Sequence, residues 1–275
     1  MAKEVQEKHV DIFYTSIKTA LNTPGVKIQR SEFLKKQLSK HFPEDVVKEA
    51  IQKNPASAGI TKEEIEKIAV SCIKYERMKV TSISAAAGIP GGFAMIGTVP
   101  ADAAQYFAHV IRVMQKLVYL YGWEELHDSE EGFDDETMNK ITLFMGVMFG
   151  VSSANAAINQ IAKLAAVNIE KKIARKALTK GAIYPVVKRV AGIIGMKMTK
   201  EIFAKGIGKT IPFVSAAISG GMTYTTFNSM TSKLKKHLEA LPIADKNFYD
   251  SFDEKEMEII DVDFEEILEN EDDVS

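Results

Sequence analysis

The sequence predicts an all-α fold, a compact helical bundle. Three observations carry that expectation. Apolar residues recur at three- and four-residue spacing in segment after segment, the mark of an amphipathic helix. Strand-like alternation is nearly absent. Three charge-free stretches, 80–101, 141–162 and 210–232, are rich in small residues and punctuated by Gly and Pro.

The elements follow in order. Val10, Phe13, Ile17 and Leu21 place one apolar stripe on a first helix, which Pro24-Gly25 ends. Phe33, Leu34 and Leu38 mark a second short helix, and Pro43 suits the first position of a third that runs to Lys53. The run 54–59 is a loop. Thr61-Lys62-Glu63-Glu64 then reads as a capping box, opening a helix with Ile65, Ile68, Ala69, Cys72 and Ile73 on one face. Gly88, Pro90, Gly91, Gly92, Gly97 and Pro100 break the next stretch, and a new helix starts near Thr98–Pro100 and reaches Tyr121, with Gly122 as its C-cap. Asp134 or Asp135 is the next N-cap. Gly181, Pro185, Gly192, Gly195, Gly206 and Gly208 interrupt the following region. Pro212 restarts a last long helix towards Leu238, before Pro242 stops it. This divides the chain into an N-terminal helical module (1–59), a helical core (60–243) and an acidic, flexible tail (244–275).

The 35 Lys and Arg nearly balance the 37 Asp and Glu, but the charge is unevenly spread. Residues 160–240 hold 15 basic and 3 acidic side chains, whereas 241–275 hold 2 basic and 14 acidic. A strongly positive block seeks a polyanion: a membrane surface, nucleic acid, or the chain's own acidic tail. Lys163, Lys171, Lys172, Arg175 and Lys176 are its candidate anionic-surface residues. Nucleic acid fits poorly, because no aromatics interleave these cations for base stacking. The acidic tail, with Ile259 to Ile267, is the candidate contact for a protein partner.

The charge-free stretches have the length of a bilayer crossing and lysines at their ends. Their second halves are polar, however, with Ser152, Ser153, Asn155, Asn159 and Gln160 in one and Thr223, Thr225, Thr226 and Asn228 in another. Such halves fit tightly packed core helices, or helices that enter a bilayer part way, better than a complete span.

The segment from Gly88 to Asp102 (GIPGGFAMIGTVPAD), followed by the helix to Tyr121-Gly122, resembles the EcsC family of bacterial proteins. The segment from Ala204 to Gly221 (AKGIGKTIPFVSAAISGG) is similar to that family's second signature, a Pro turn leading into a Gly/Ala helix. The resemblance covers about residues 60–240. It implies a mostly helical, bacterial, membrane-associated protein, and it supplies no catalytic residues to carry over.

Enzyme signatures are weak. Gly206-Ile207-Gly208-Lys209-Thr210 mimics the end of a phosphate-binding loop, but Phe203 stands where that loop needs Gly, and a helix precedes it instead of a strand. The five histidines lie in separate segments without metal-ligand spacing, and neither cofactor nor metal is expected. Cys72 belongs to an apolar stripe, as a core residue. Asp102, His109 and Arg112 share one helix. Either they line a polar pocket for a small anionic ligand or a proton, or Asp102 complements the helix dipole while His109 and Arg112 form an exposed edge. The reading preferred from sequence is a non-enzymatic helical protein that docks on an anionic membrane surface. The alternatives are a soluble interaction module, or an enzyme or small-ligand binder with a pocket near Asp102 and His109. With no apolar run after Met1 to act as a secretory signal, the expected location is cytoplasmic, at the inner face of the cell membrane.

Overall fold

The computed structural model describes residues 2–87, 101–127, 135–166, 184–207 and 212–251. They form an all-α bundle of ten helices, with no strand among the described residues. The helices are α1 (Ala2–Leu21), α2 (Arg30–Leu38), α3 (Glu44–Gln52), α4 (Lys62–Ala87), α5 (Ala101–Leu120), α6 (Asp135–Phe149), α7 (Ser152–Ala166), α8 (Tyr184–Ile207), α9 (Pro212–Glu239) and α10 (Lys246–Ser251), with a 3-10 turn at Pro242–Ala244 before the last.

Local chemistry explains most boundaries. At the start of α4, the Thr61 backbone N–H and hydroxyl both donate to the Glu64 carboxylate, while the Glu64 N–H donates back to the Thr61 hydroxyl, closing the expected box. At the end of α5, Gly122 takes φ +97° and the Trp123 N–H reaches back to the Val118 carbonyl, a left-handed helix stop that spares the carbonyls of the last turn. Pro43 caps α3 from outside, one residue earlier than expected, with extended backbone.

Helix α5 lies at the centre, packed by α1, α2, α4, α6 and α9. Its Val110, Ile111, Val113, Met114, Leu117 and Val118 are fully buried. The apolar faces of α1–α3 join the same buried cluster, so the side chains of residues 1–59 and of the helices that follow share one core. Arg30, the first residue of α2, locks this end. It is buried, and its guanidinium donates to the carbonyls of Ala50, Ile51 and Lys53 at the end of α3 and to that of Trp123 beyond α5. A cation over a helix C-terminus satisfies orphan carbonyls and meets the negative end of the dipole.

Several expectations need correction. The charge-free stretch 141–162 is two helices: Gly150 adopts φ +72°, and α6 and α7 fold back on each other there. Among the described residues, no helix is long and apolar enough to cross a membrane. Gly192, Gly195 and Gly206 do not interrupt the chain, because α8 runs through all three, with Pro185 tolerated in its first turn. Residues 244–251 are ordered helix and turn: Tyr249 accepts a hydrogen bond from Asn54 (2.8 Å) and Asp245 pairs with Lys62 (2.9 Å). Residues 252–275 lie outside the described residues, as do Gly88, Pro90, Gly91, Gly92, Gly97, Pro100 and Gly208. Pro212 opens α9 as expected.

The small residues seat helices against each other. A methyl group on Gly195 of α8 would stand 1.9 Å from the His9 carbonyl oxygen of α1; one on Gly146 of α6 would meet Ala154 of α7 at 2.4 Å and Val190 of α8 at 2.7 Å. Neither backbone neighbour nor packed core yields cheaply. Replacing Gly195 with Ala is expected to destabilise the fold by about 2–3 kcal/mol, read as a lowered urea midpoint with an unchanged slope.

Candidate functional site

The most charged junction in the core lies between α4 and α5. Glu76 is on α4 in the same register as Ile65, Ala69, Cys72 and Val80, all buried, and its side chain is 0% exposed. Among the described side chains, the edge of α5 that reaches solvent carries Gln105, His109, Arg112 and Lys116, spaced by three and four residues and therefore in one line along the helix. Packing α4 on α5 brings the carboxylate to that line. Lys116 Nζ lies 2.6 Å from Glu76 Oε1, Arg112 Nε 3.3 Å from the same oxygen, and His109 Nδ1 2.8 Å from Oε2.

Burial alone would raise the Glu76 carboxyl. Hydrogen bonds from His109 and Lys116, with the charges of Lys116 and Arg112, outweigh it and hold the group at about 2. One carboxylate thus faces two permanent cations and a histidine, and the junction keeps positive charge at its surface. Cys72, one turn before Glu76, is buried, and burial pushes its thiol up, as suits a core residue.

That positive charge continues onto the outer face of α4. Val70, Tyr75 and Met78 are 49%, 52% and 59% exposed. Lys67, Lys74 and Lys79 are exposed among them: Lys67, Lys74 and Met78 share a narrow arc of the helix, with Val70 on one flank and Tyr75 and Lys79 on the other. The ammonium of Lys79 sits 4.6 Å from the centre of the Tyr75 ring and that of Lys116 5.3 Å from it, so the ring joins the stripe to the buried junction. Beside it, Arg77 lies over the ring of Tyr224 on α9 (4.5 Å to its centre) and donates to Asn228. From Lys67 to Ser82 the one acid on α4 is buried Glu76, and α9 has no acid before Glu239. Among the described residues no ion pair within 4 Å joins Lys67, Lys74 or Lys79 to a carboxylate, although the charge of Lys67 helps to lower the Glu64 carboxyl.

Of the residues singled out from sequence, His109 and Arg112 are brought together, though neither as an exposed edge: their side chains are 12% and 25% exposed and serve Glu76. Asp102 stands in the first turn of α5, with its side chain outside the described residues. Lys163 is an exposed residue in the last turn of α7, and Lys171, Lys172, Arg175 and Lys176 lie outside the described residues. Gly206 falls within α8, so helix and not strand precedes the Gly-Lys-Thr mimic. Sequence reasoning missed Glu76, Lys116 and the outer stripe of α4. The signal for Glu76 was available: a carboxylate at an apolar-stripe position needs a cationic partner from another element.

No family model, curated protein or solved structure matches the chain.

Removing the charge of Glu76 leaves Lys116 and Arg112 facing each other without compensation, so Glu76→Gln is expected to cost about 3–5 kcal/mol at pH 7 in urea unfolding. The acid limb gives the sign. A carboxyl lowered on folding, from 4.5 to about 2, contributes stability above its unfolded value, and that contribution is lost as the pH falls through the interval between them. The wild type should therefore lose roughly 3 kcal/mol from this group between pH 5 and 2, a loss missing from the pH profile of the Gln variant.

Proposed function

We propose that this chain is a non-enzymatic, peripheral helical protein of the EcsC type that docks on an anionic membrane surface, at the inner face of the cell membrane. The observation supporting this reading is the outer stripe of α4, where three lysines are interspersed with an exposed valine, tyrosine and methionine, and no exposed acid lies between Lys67 and Lys79. An interfacial helix needs both components. Cations gain from the negative potential of acidic lipid headgroups, about 1 kcal/mol each near the surface, and apolar side chains gain by entering the headgroup boundary. Tyr75 suits that boundary, with an apolar ring and a polar tip.

The fold supports the same reading from behind. α4 is held rigidly by Glu76 on one side and by the packing of α9 on the other, so the stripe is presented without a folding cost on binding. Lys163 and the basic residues 171–176, read from sequence as the docking surface, would add to the long-range attraction.

The test is co-sedimentation with vesicles of phosphatidylserine and phosphatidylcholine, beside vesicles of phosphatidylcholine alone. Binding is expected only to the anionic vesicles and to be released by a high-salt wash. Lys74→Gln with Lys79→Gln should weaken it about 30-fold, two cations at about 1 kcal/mol each. Binding that ignores lipid charge, or that survives the double substitution unchanged, would rule the reading out.

A further inference from the structure

We infer that the acidic segment 252–275 is the resting occupant of the basic stripe on α4, lying along Lys67, Lys74, Tyr75, Met78 and Lys79 and keeping it from anionic lipid. The second half of this statement rests on the membrane reading above; the first stands without it.

Three observations carry the inference. The first is where the chain leaves the fold. Asp245 pairs with Lys62, the first residue of α4, and Tyr249 is bonded to Asn54 in the preceding loop, so residues 245–251 are pinned at the N-terminal end of the helix that carries the stripe. The second is reach. From Lys62 to Lys79 is about 25 Å along a helix rising 1.5 Å per residue, a distance that about eight extended residues cover. The segment has 24 residues beyond Ser251.

The third is complementarity, in charge and in apolar content. The segment contains 12 acids and one lysine, and interleaves them with Phe252, Ile259, Ile260, Val262, Phe264 and Ile267. From Lys67 to Lys79 the stripe presents exposed cations interleaved with exposed apolar side chains and no exposed acid; the exposed Glu63 lies one turn before it, and Glu66 is paired with Lys235. Opposite charges held on one chain at this range act at millimolar effective concentration, enough for contacts that would be weak between separate molecules. Acidic lipid offers the stripe the same pairing of negative charge and apolar depth, so the two occupants exclude each other.

Zero-length carbodiimide cross-linking of the full chain without lipid, read by mass spectrometry, tests the placement directly, because it joins a carboxylate only to an amine in contact with it. Amide links are expected from Lys67, Lys74 or Lys79 to acids between Asp253 and Asp273, falling severalfold in high salt. Absence of such links, or links only to lysines of the 163–209 block, would overturn the inference. Competition is tested in the full chain by D261N/D263N/E265Q/E266Q, which should bind anionic vesicles about tenfold more tightly than wild type. Equal binding of the two would overturn the exclusion of lipid. If neither protein binds vesicles at all, the membrane reading fails, and the cross-links alone decide where the segment lies.

Discussion

Helix α5 can occupy the centre of this molecule because one buried carboxylate partners the cations along its solvent-facing edge. Among the described residues the other faces of α5 are covered by neighbouring helices and apolar except for Gln115, whose amide donates to the Val26 carbonyl and accepts from the Ile28 N–H. The remaining edge carries His109, Arg112 and Lys116, and cations drawn out of water cost several kcal/mol each unless paired. Glu76 supplies that pairing from α4, and in doing so fixes how α4 lies on α5: a slip of one turn would carry the carboxylate about 5.4 Å from its partners. The ion cluster thus sets register where apolar packing alone would tolerate several.

The rest of the core is organised around close approach. Gly195 lets α8 meet the backbone of α1, and Gly146 lets α6 take the side chains of Ala154 on α7 and Val190 on α8, with no room at either for a single added methyl. Where helices come this near, dispersion contacts accumulate, and buried hydroxyls can be satisfied locally: Thr142 and Thr231, both fully buried, donate to carbonyls one turn back in their own helices. At the other end, Arg30 performs for α3 what Glu76 performs for α5, satisfying groups that burial would otherwise strand.

Burying the one acid of this region has a consequence for the surface. With Glu76 consumed inside, the outer side of α4 from Lys67 to Lys79 keeps its lysines and exposed apolar side chains with no exposed acid between them, and α9 beside it adds none before Glu239. The interior arrangement therefore shapes the external potential, and a face of this kind attracts an anionic, partly apolar surface.

Much of the fold was legible in the sequence because helices announce themselves locally. The stripe of Phe13 and Ile17, the Thr61–Glu64 box and Gly122 after Tyr121 are each set by residues within a few positions of one another, and each stands in the structure as read. Glycines were less informative: Gly150 ends a helix while Gly192 and Gly195 sit inside one, and only the neighbours across the bundle distinguish the two uses. The candidate site was half visible. His109 and Arg112 stood out as polar residues on an apolar helix, but their partner lies 33 and 36 residues earlier, on a helix that had to fold back against theirs. Sequence by itself determined which segments are helical and which faces are apolar, since both follow from spacing along the chain. Which charges meet, and which are left facing outwards, depends on long-range pairing of helices, and only the tertiary structure decided that.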